Sequence, residues 1–141
     1  MRTRICIKTG CLAVAVLCAA VAGSDKSTQS HEVQAHALPR LDGAHLQVHL
    51  VEVTYGPGGQ SPIHSHPCAV TGYVIEGAVR MQTEGAAEAV YKAGQGFYEA
   101  PNSVHLVSAN ASAKKPAKFI AYFVCDRETP LTVPAAEGKG K

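Results

Sequence analysis

A chain of 141 residues, 46% hydrophobic and 17% charged, has room for one domain and enough apolar material for its core, which excludes wholesale disorder. With no tryptophan, 6% aromatic residues, 13 glycines and 8 prolines, the composition suits short strands and tight turns better than long helices. The formal net charge of +2 is unevenly placed: Arg2, Arg4 and Lys8 all precede an apolar run from Cys11 to Ala22.

Residues 1–22 are therefore expected to be a cleavable secretory signal peptide. They have a basic start, an apolar stretch of about 7–15 residues and a small-residue exit at Ala20-Val21-Ala22. The run is shorter than the roughly 20 residues a membrane span takes. Cys18 raises a lipoprotein reading, but Leu17 before it is bulky where such a signal takes a small residue. An uncleaved N-terminal anchor is the alternative. Cleavage near Ala22 removes three of the 13 basic residues and none of the 11 acidic ones, turning the net charge from +2 to −1. No basic patch survives, so nucleic acid is not an expected partner, and no membrane association is expected after cleavage. The destination is the periplasm or the extracellular space. Five cysteines fall to two, Cys68 and Cys125, which either form a disulfide in an oxidising compartment or remain separate half-buried thiols.

Residues 23–38 are polar and aperiodic and read as a flexible leader, loose or only partly docked. The folded unit spans 39–133, and 134–141 reads as a disordered tail. Within the unit, residues 45–55 are β-rich and stop at the Gly56-Pro-Gly-Gly59 breaker cluster. Residues 63–66 are short and extended between Pro62 and Pro67. Residues 69–75 and 78–83 flank Glu76-Gly77, which predicts a hairpin. Residues 88–91, 97–100, 104–108 and 117–125 complete a set of strands separated by turn residues. Strands at this spacing with no helical stripe predict an all-β sandwich or barrel.

Histidine carries the chemical signal. His64 and His66 are two apart on an extended segment, so their side chains leave one face, about 7 Å apart along the strand, and can converge on one ion. A third histidine, His105, follows a Pro101-Asn102 turn. His45 and His49 share a strand face that Gln47 marks as exposed, and His31 and His36 lie solvated in the leader. Glu76 reads as a turn-flanking surface charge. Asn110-Ala-Ser112 matches a glycosylation acceptor pattern.

The segment Gly59-Gln-Ser-Pro-Ile-His64-Ser-His66-Pro67, continuing to Tyr73-Val-Ile-Glu-Gly77, resembles the first motif of the cupins. The segment from Gly94 through Pro101 to His105, with Asn110 five residues on, is similar to the second. Together the motifs cover residues 46–125. The resemblance implies a single jelly-roll barrel with a metal inside, held by the two histidines of the first motif, a glutamate between, and the histidine of the second. His64, His66 and His105 map onto those positions. The glutamate should fall at Val70 or Thr71, where valine cannot bind a metal and threonine is a neutral, weak donor. Three histidines can still hold a divalent transition metal and leave positions open. Iron(II) is favoured, with manganese, nickel, copper or zinc as alternatives.

Glu99, six residues before His105, is a fourth ligand or a histidine-orienting acceptor if it faces inward, and a solvated strand-end carboxylate otherwise. Cys68 is either a soft ligand in the same cavity or a small half-buried residue. Tyr73 and Tyr98 are further pocket candidates, or tyrosines packed with wet tips. Asn102 takes the place where the family usually has glycine, and asparagine can adopt the left-handed conformation such a turn needs. The expected function is an exported small cupin-domain protein that binds a divalent metal through three histidines and performs dioxygenase-like chemistry on a small molecule. A non-catalytic metal or ligand binder and a metal-free barrel are the alternatives. A homodimer is expected, because small jelly rolls leave edges and apolar faces uncovered.

Overall fold

The computed structural model describes residues 28–41 and 45–135; the segment read as a signal peptide lies outside them. Contacts divide the chain into Met1–Ser30 and His31–Lys141, and the fold is that of the second unit. Among the described residues it has nine strands: β1 Leu46–Tyr55, β2 His64–Ser65, β3 Ala69–Glu76, β4 Ala78–Thr83, β5 Ala89–Lys92, β6 Gly96–Glu99, β7 Val104–Asn110, β8 Ala117–Asp126 and β9 Val133–Pro134. One sheet runs β1-β8-β3-β6 and the other β5-β4-β7-β2-β9. Every pairing is antiparallel. Among the described residues there is no helix, hence none long and apolar enough to cross a membrane. The described residues are all-β, as the strand spacing predicts.

The strands form where the alternation says they should. On β8, Ala117, Phe119, Ala121, Phe123 and Cys125 are buried while their neighbours are not. A period of two gives β8 one apolar face, and that face meets the opposite sheet. Phe119 anchors the centre, with ring centroids 5.6 Å from Phe97 and 5.8 Å from Tyr55. Val70, Val74 and Val79 fill the space around it and are almost wholly buried.

The expected hairpin at Glu76-Gly77 is instead a corner. β3 belongs to one sheet and β4 to the other, so the chain changes layers there. A register shift between Val74 and Glu76 loosens the ladder just before the corner. Gly77 completes it at φ +69°, with the Pro116 carbonyl where a side chain would stand. The expected tail at residue 134 also begins differently, because Val133–Pro134 pairs with β2. Proline has no N–H to give a further neighbour, so it fits this outer edge. Residues 136–141 lie outside the described part.

The leader makes contacts over its last turn of chain. Gln34 donates from Nε2 to the carbonyls of Phe97 and Gly72, at 3.1 and 3.3 Å. His36, read as solvated, stacks on Tyr98 with centroids 4.4 Å apart. Cys68 and Cys125 are joined in a disulfide, with Cα atoms 5.1 Å apart. It ties the start of β3 to the end of β8.

Candidate functional site

Three of the seven histidines meet inside the barrel. His64 on β2 pairs in register with His105 on β7, so their side chains leave the same face of one sheet. His66 follows just beyond β2. The ring centroids are 4.8 Å apart for His64 and His66, 5.1 Å for His64 and His105, and 5.9 Å for His66 and His105. All three are buried. The Asn102 amide holds the backbone of His66 through a 2.6 Å hydrogen bond to its carbonyl. Asn102 sits at φ 63°, the left-handed conformation expected of it.

Glu99 faces inward and joins them. Its Oε2 lies 3.0 Å from His105 Nε2 and 3.4 Å from His66 Nε2. On β3, residues 70, 72 and 74 point to the core while Thr71 and Tyr73 point away. Glu99 pairs with Val70 and Phe97 with Gly72, so both share the inward face. Thr71, one of the two positions for the family glutamate, is thereby turned from the cavity.

The tautomers of two rings follow from their partners. His64 Nδ1 is 2.7 Å from the Pro62 carbonyl and His66 Nδ1 is 2.6 Å from the Leu131 carbonyl. A carbonyl only accepts, so each Nδ1 carries the proton and each Nε2 of the neutral ring is a lone pair. Burial pushes His66 below the usual histidine value, opposed by the Leu131 carbonyl and by Glu99. A neutral His66 therefore presents an acceptor nitrogen to the carboxyl group of Glu99. Glu99 Oε2 and both nitrogens of His105 are buried without a hydrogen-bond partner. Uncompensated buried polar atoms are costly, by about 1–3 kcal/mol each, and a cation between Glu99 Oε2 and a lone pair on His105 Nε2 removes the cost at those two atoms.

The spacings agree with that. Ligands about 2.1 Å from a metal stand about 3.0–3.4 Å from one another in octahedral or tetrahedral arrangement, and both Glu99 contacts fall in this range. The full set is not drawn round one point: among the described residues no three His, Cys, Asp or Glu side chains already form a closed metal-holding group. The short contacts are those of Glu99 with His66 and His105. The donor set of imidazoles and a carboxylate fits a divalent transition metal.

The four side chains line a cavity of about 320 Å³ walled by Val51, Val53, Val70, Met81, Phe119 and Phe123. His105 and Ser108 both face it although they are three apart on β7. A register shift opposite Gln82 and Thr83 supplies the extra residue that turns both inward. The other three pocket candidates do not line it. Cys68 is committed to the disulfide, and Tyr73 and Tyr98 stand on the outward positions of β3 and β6. The carbonyls of Pro62 and Leu131 and the hydroxyls of Tyr55, Ser61 and Ser108 are parts of the site that composition does not single out. The register shift in β7 leaves no sequence signal at all. Asn110 is buried, donating to the carbonyls of Gly56 and Lys115 at 2.8 Å each, so its acceptor pattern serves packing.

Residues 51–124 match the family described as Cupin domain. No curated protein sequence matches the chain. Among solved structures, an oxalate oxidase is 24% identical with a TM-score of 0.54, over 62% of this chain and 46% of that one. A cupin-like protein from Thermotoga maritima is 21% identical with a TM-score of 0.55, over 63% of this chain and 65% of that one. The polyketide cyclase RemF from Streptomyces resistomycificus is 20% identical with a TM-score of 0.54, over 70% of this chain and 66% of that one. This chain spans less than half the length of the oxalate oxidase.

Proposed function

Because this chain belongs to the cupin family, we propose that His64, His66, His105 and Glu99 hold one divalent transition metal, iron(II) foremost, which acts on a small molecule in the barrel. The observation that carries this is Glu99 Oε2, buried, without a hydrogen-bond partner, and 3.0 Å from an equally unpartnered His105 Nε2. The relatives include an oxalate oxidase and a polyketide cyclase, so the family resemblance supports small-molecule chemistry without fixing the reaction.

When bound, the metal would supply Lewis acidity and open positions for a substrate. The protein does the rest. The Pro62 and Leu131 carbonyls hold His64 and His66 with Nε2 inward. Glu99 supplies the negative charge that lowers the cost of burying the cation. The valine and phenylalanine walls keep water from the reacting atoms and raise the strength of every charge interaction inside. Export is part of the same reading: the Cys68–Cys125 disulfide supports an oxidising compartment.

Elemental analysis of the purified protein tests the proposal. One divalent ion per chain is expected, lost in His105→Ala and in His66→Ala while strand circular dichroism persists. Undiminished metal in both variants overturns the assignment.

A further inference from the structure

A second polar group lies in the same cavity, outside the four side chains above. Tyr55 Oη stands 2.6 Å from Ser61 Oγ and 2.9 Å from Ser108 Oγ. All three residues line the cavity, and Tyr55 and Ser108 are buried. Three hydroxyls bring three donor protons, and the two contacts between them use two. One proton and several lone pairs are left. A buried hydroxyl chain with an unused donor, in a chamber whose other walls are largely apolar beside the three histidines and Glu99, can complete itself on an oxygen of whatever enters.

We propose that the cavity takes a neutral, largely apolar molecule of one or two rings in size, and that Tyr55, Ser61 and Ser108 bind a hydroxyl or carbonyl oxygen on it. Among the described residues lining the cavity none is Lys or Arg. In the metal-free cavity a ligand carboxylate beside the hydroxyls would meet no cationic Lys or Arg side chain, and would bear the desolvation cost of an unpaired charge. A neutral oxygen meets both a donor and acceptors there. The volume of about 320 Å³ is about twice that of a cavity that admits benzene, and lies at the small end for ligand pockets. The inference rests on the proposed function in taking this cavity as the ligand site, and does not need the metal, because none of the three hydroxyl residues is among the proposed metal ligands.

The test is calorimetric titration of the full-length protein, as purified and after dialysis against a chelator, with 4-methylphenol, toluene and 4-methylbenzoate. The phenol is expected to bind about tenfold more tightly than toluene in both preparations, the margin of one good hydrogen bond. In the chelated protein 4-methylbenzoate is expected to bind weakest. Tyr55→Phe and Ser108→Ala should each retain toluene binding, which reports an intact cavity, and lose the phenol margin. An unchanged margin in both variants, tightest binding of 4-methylbenzoate after chelation, or no binding of toluene and the phenol overturns the inference. Metal content is measured on the same samples. Protein that is metal-free as purified, before any chelator, yet keeps the margin counts against the metal alone, and metal-loaded protein without the margin counts against the hydroxyl site alone.

Discussion

Val70 and Glu99 stand directly opposite one another across β3 and β6, on the inward face of the sheet. Val70 is one of the positions where the cupin pattern would put its metal-binding glutamate. The carboxylate missing from β3 is thus present on the adjacent strand, at the residue that pairs with the gap. Directly opposed side chains have Cβ atoms about 4.5–5.5 Å apart, so one flexible glutamate can reach much the same space from either strand.

Moving the carboxylate back is therefore informative. Glu99→Gln keeps the shape and removes the charge, and should weaken retention of the metal by at least the 10–100-fold (about) that outer partners of metal ligands carry. The exchange Val70→Glu with Glu99→Val should recover a measurable part of that loss. Competition with a calibrated chelator measures both. Equal affinity in Glu99→Gln and the parent protein would remove Glu99 from the ligand set.

How much of this was legible in the residues depends on the range of the contact. His64 and His66 are placed by a strand's period of two, which any extended segment obeys, so their shared face follows from sequence. Asn102 likewise follows from the local demand for φ above zero. The local sequence allows Glu99 two orientations, because its side is set by pairing with Val70, a contact between residues distant in the chain. The corner at Gly77 looked like a hairpin for the same reason: local turn chemistry does not say which sheet the next strand joins. The Cys68–Cys125 bond and the Leu131 carbonyl on His66 are also long-range facts, fixed only by the packing of β8 and the segment after it.

The disulfide closes a long loop, with the two cysteines 57 residues apart in sequence. Loop-closure entropy assigns such a link roughly 4 kcal/mol, within a usual span of about 2–5. Cys68→Ala with Cys125→Ala should lower the free energy of unfolding by that order in a denaturant titration. Because Cys68 stands two residues from His66, the same variant should also loosen metal retention. A change below about 1 kcal/mol, outside the usual span for a native link, would mean that the bond adds little to the native fold.

Asn110 joins three segments. Its Nδ2 donates to Gly56 and Lys115 carbonyls at 2.8 Å and reaches the Tyr55 carbonyl at 3.4 Å, while its Oδ1 accepts from the Ser112 amide at 2.9 Å. Asn110→Asp removes both amide donors and turns a carboxyl oxygen toward those carbonyls. Leaving buried groups unsatisfied costs about 1–3 kcal/mol for each, so the substitution should destabilise by at least about 2 kcal/mol. Expressed in a glycosylating host, the parent protein should show no mass change on glycosidase treatment, since a buried, fully bonded amide offers no acceptor. A glycan at Asn110 would contradict the packing described.

Gly72 and Gly96 make a matched pair on adjoining strands. A Cβ at Gly72 would stand 2.0 Å from Cζ of Phe97, and one at Gly96 would stand 2.6 Å from Cδ of Gln34. The two obstacles differ in kind. Phe97 is a buried ring packed against both Tyr91 and Phe119. Gln34 is the far end of a flexible, half-exposed side chain held by two hydrogen bonds. Gly72→Ala should therefore cost about 3 kcal/mol or more, the upper range for overpacking a core. Gly96→Ala should cost about 1 kcal/mol, the order of the Gln34 contacts it displaces. It should instead speed amide hydrogen exchange around residues 31–36 while leaving the barrel's exchange unchanged. Similar losses of stability in the two variants would show that residues 31–36 are as firmly built in as the core ring itself.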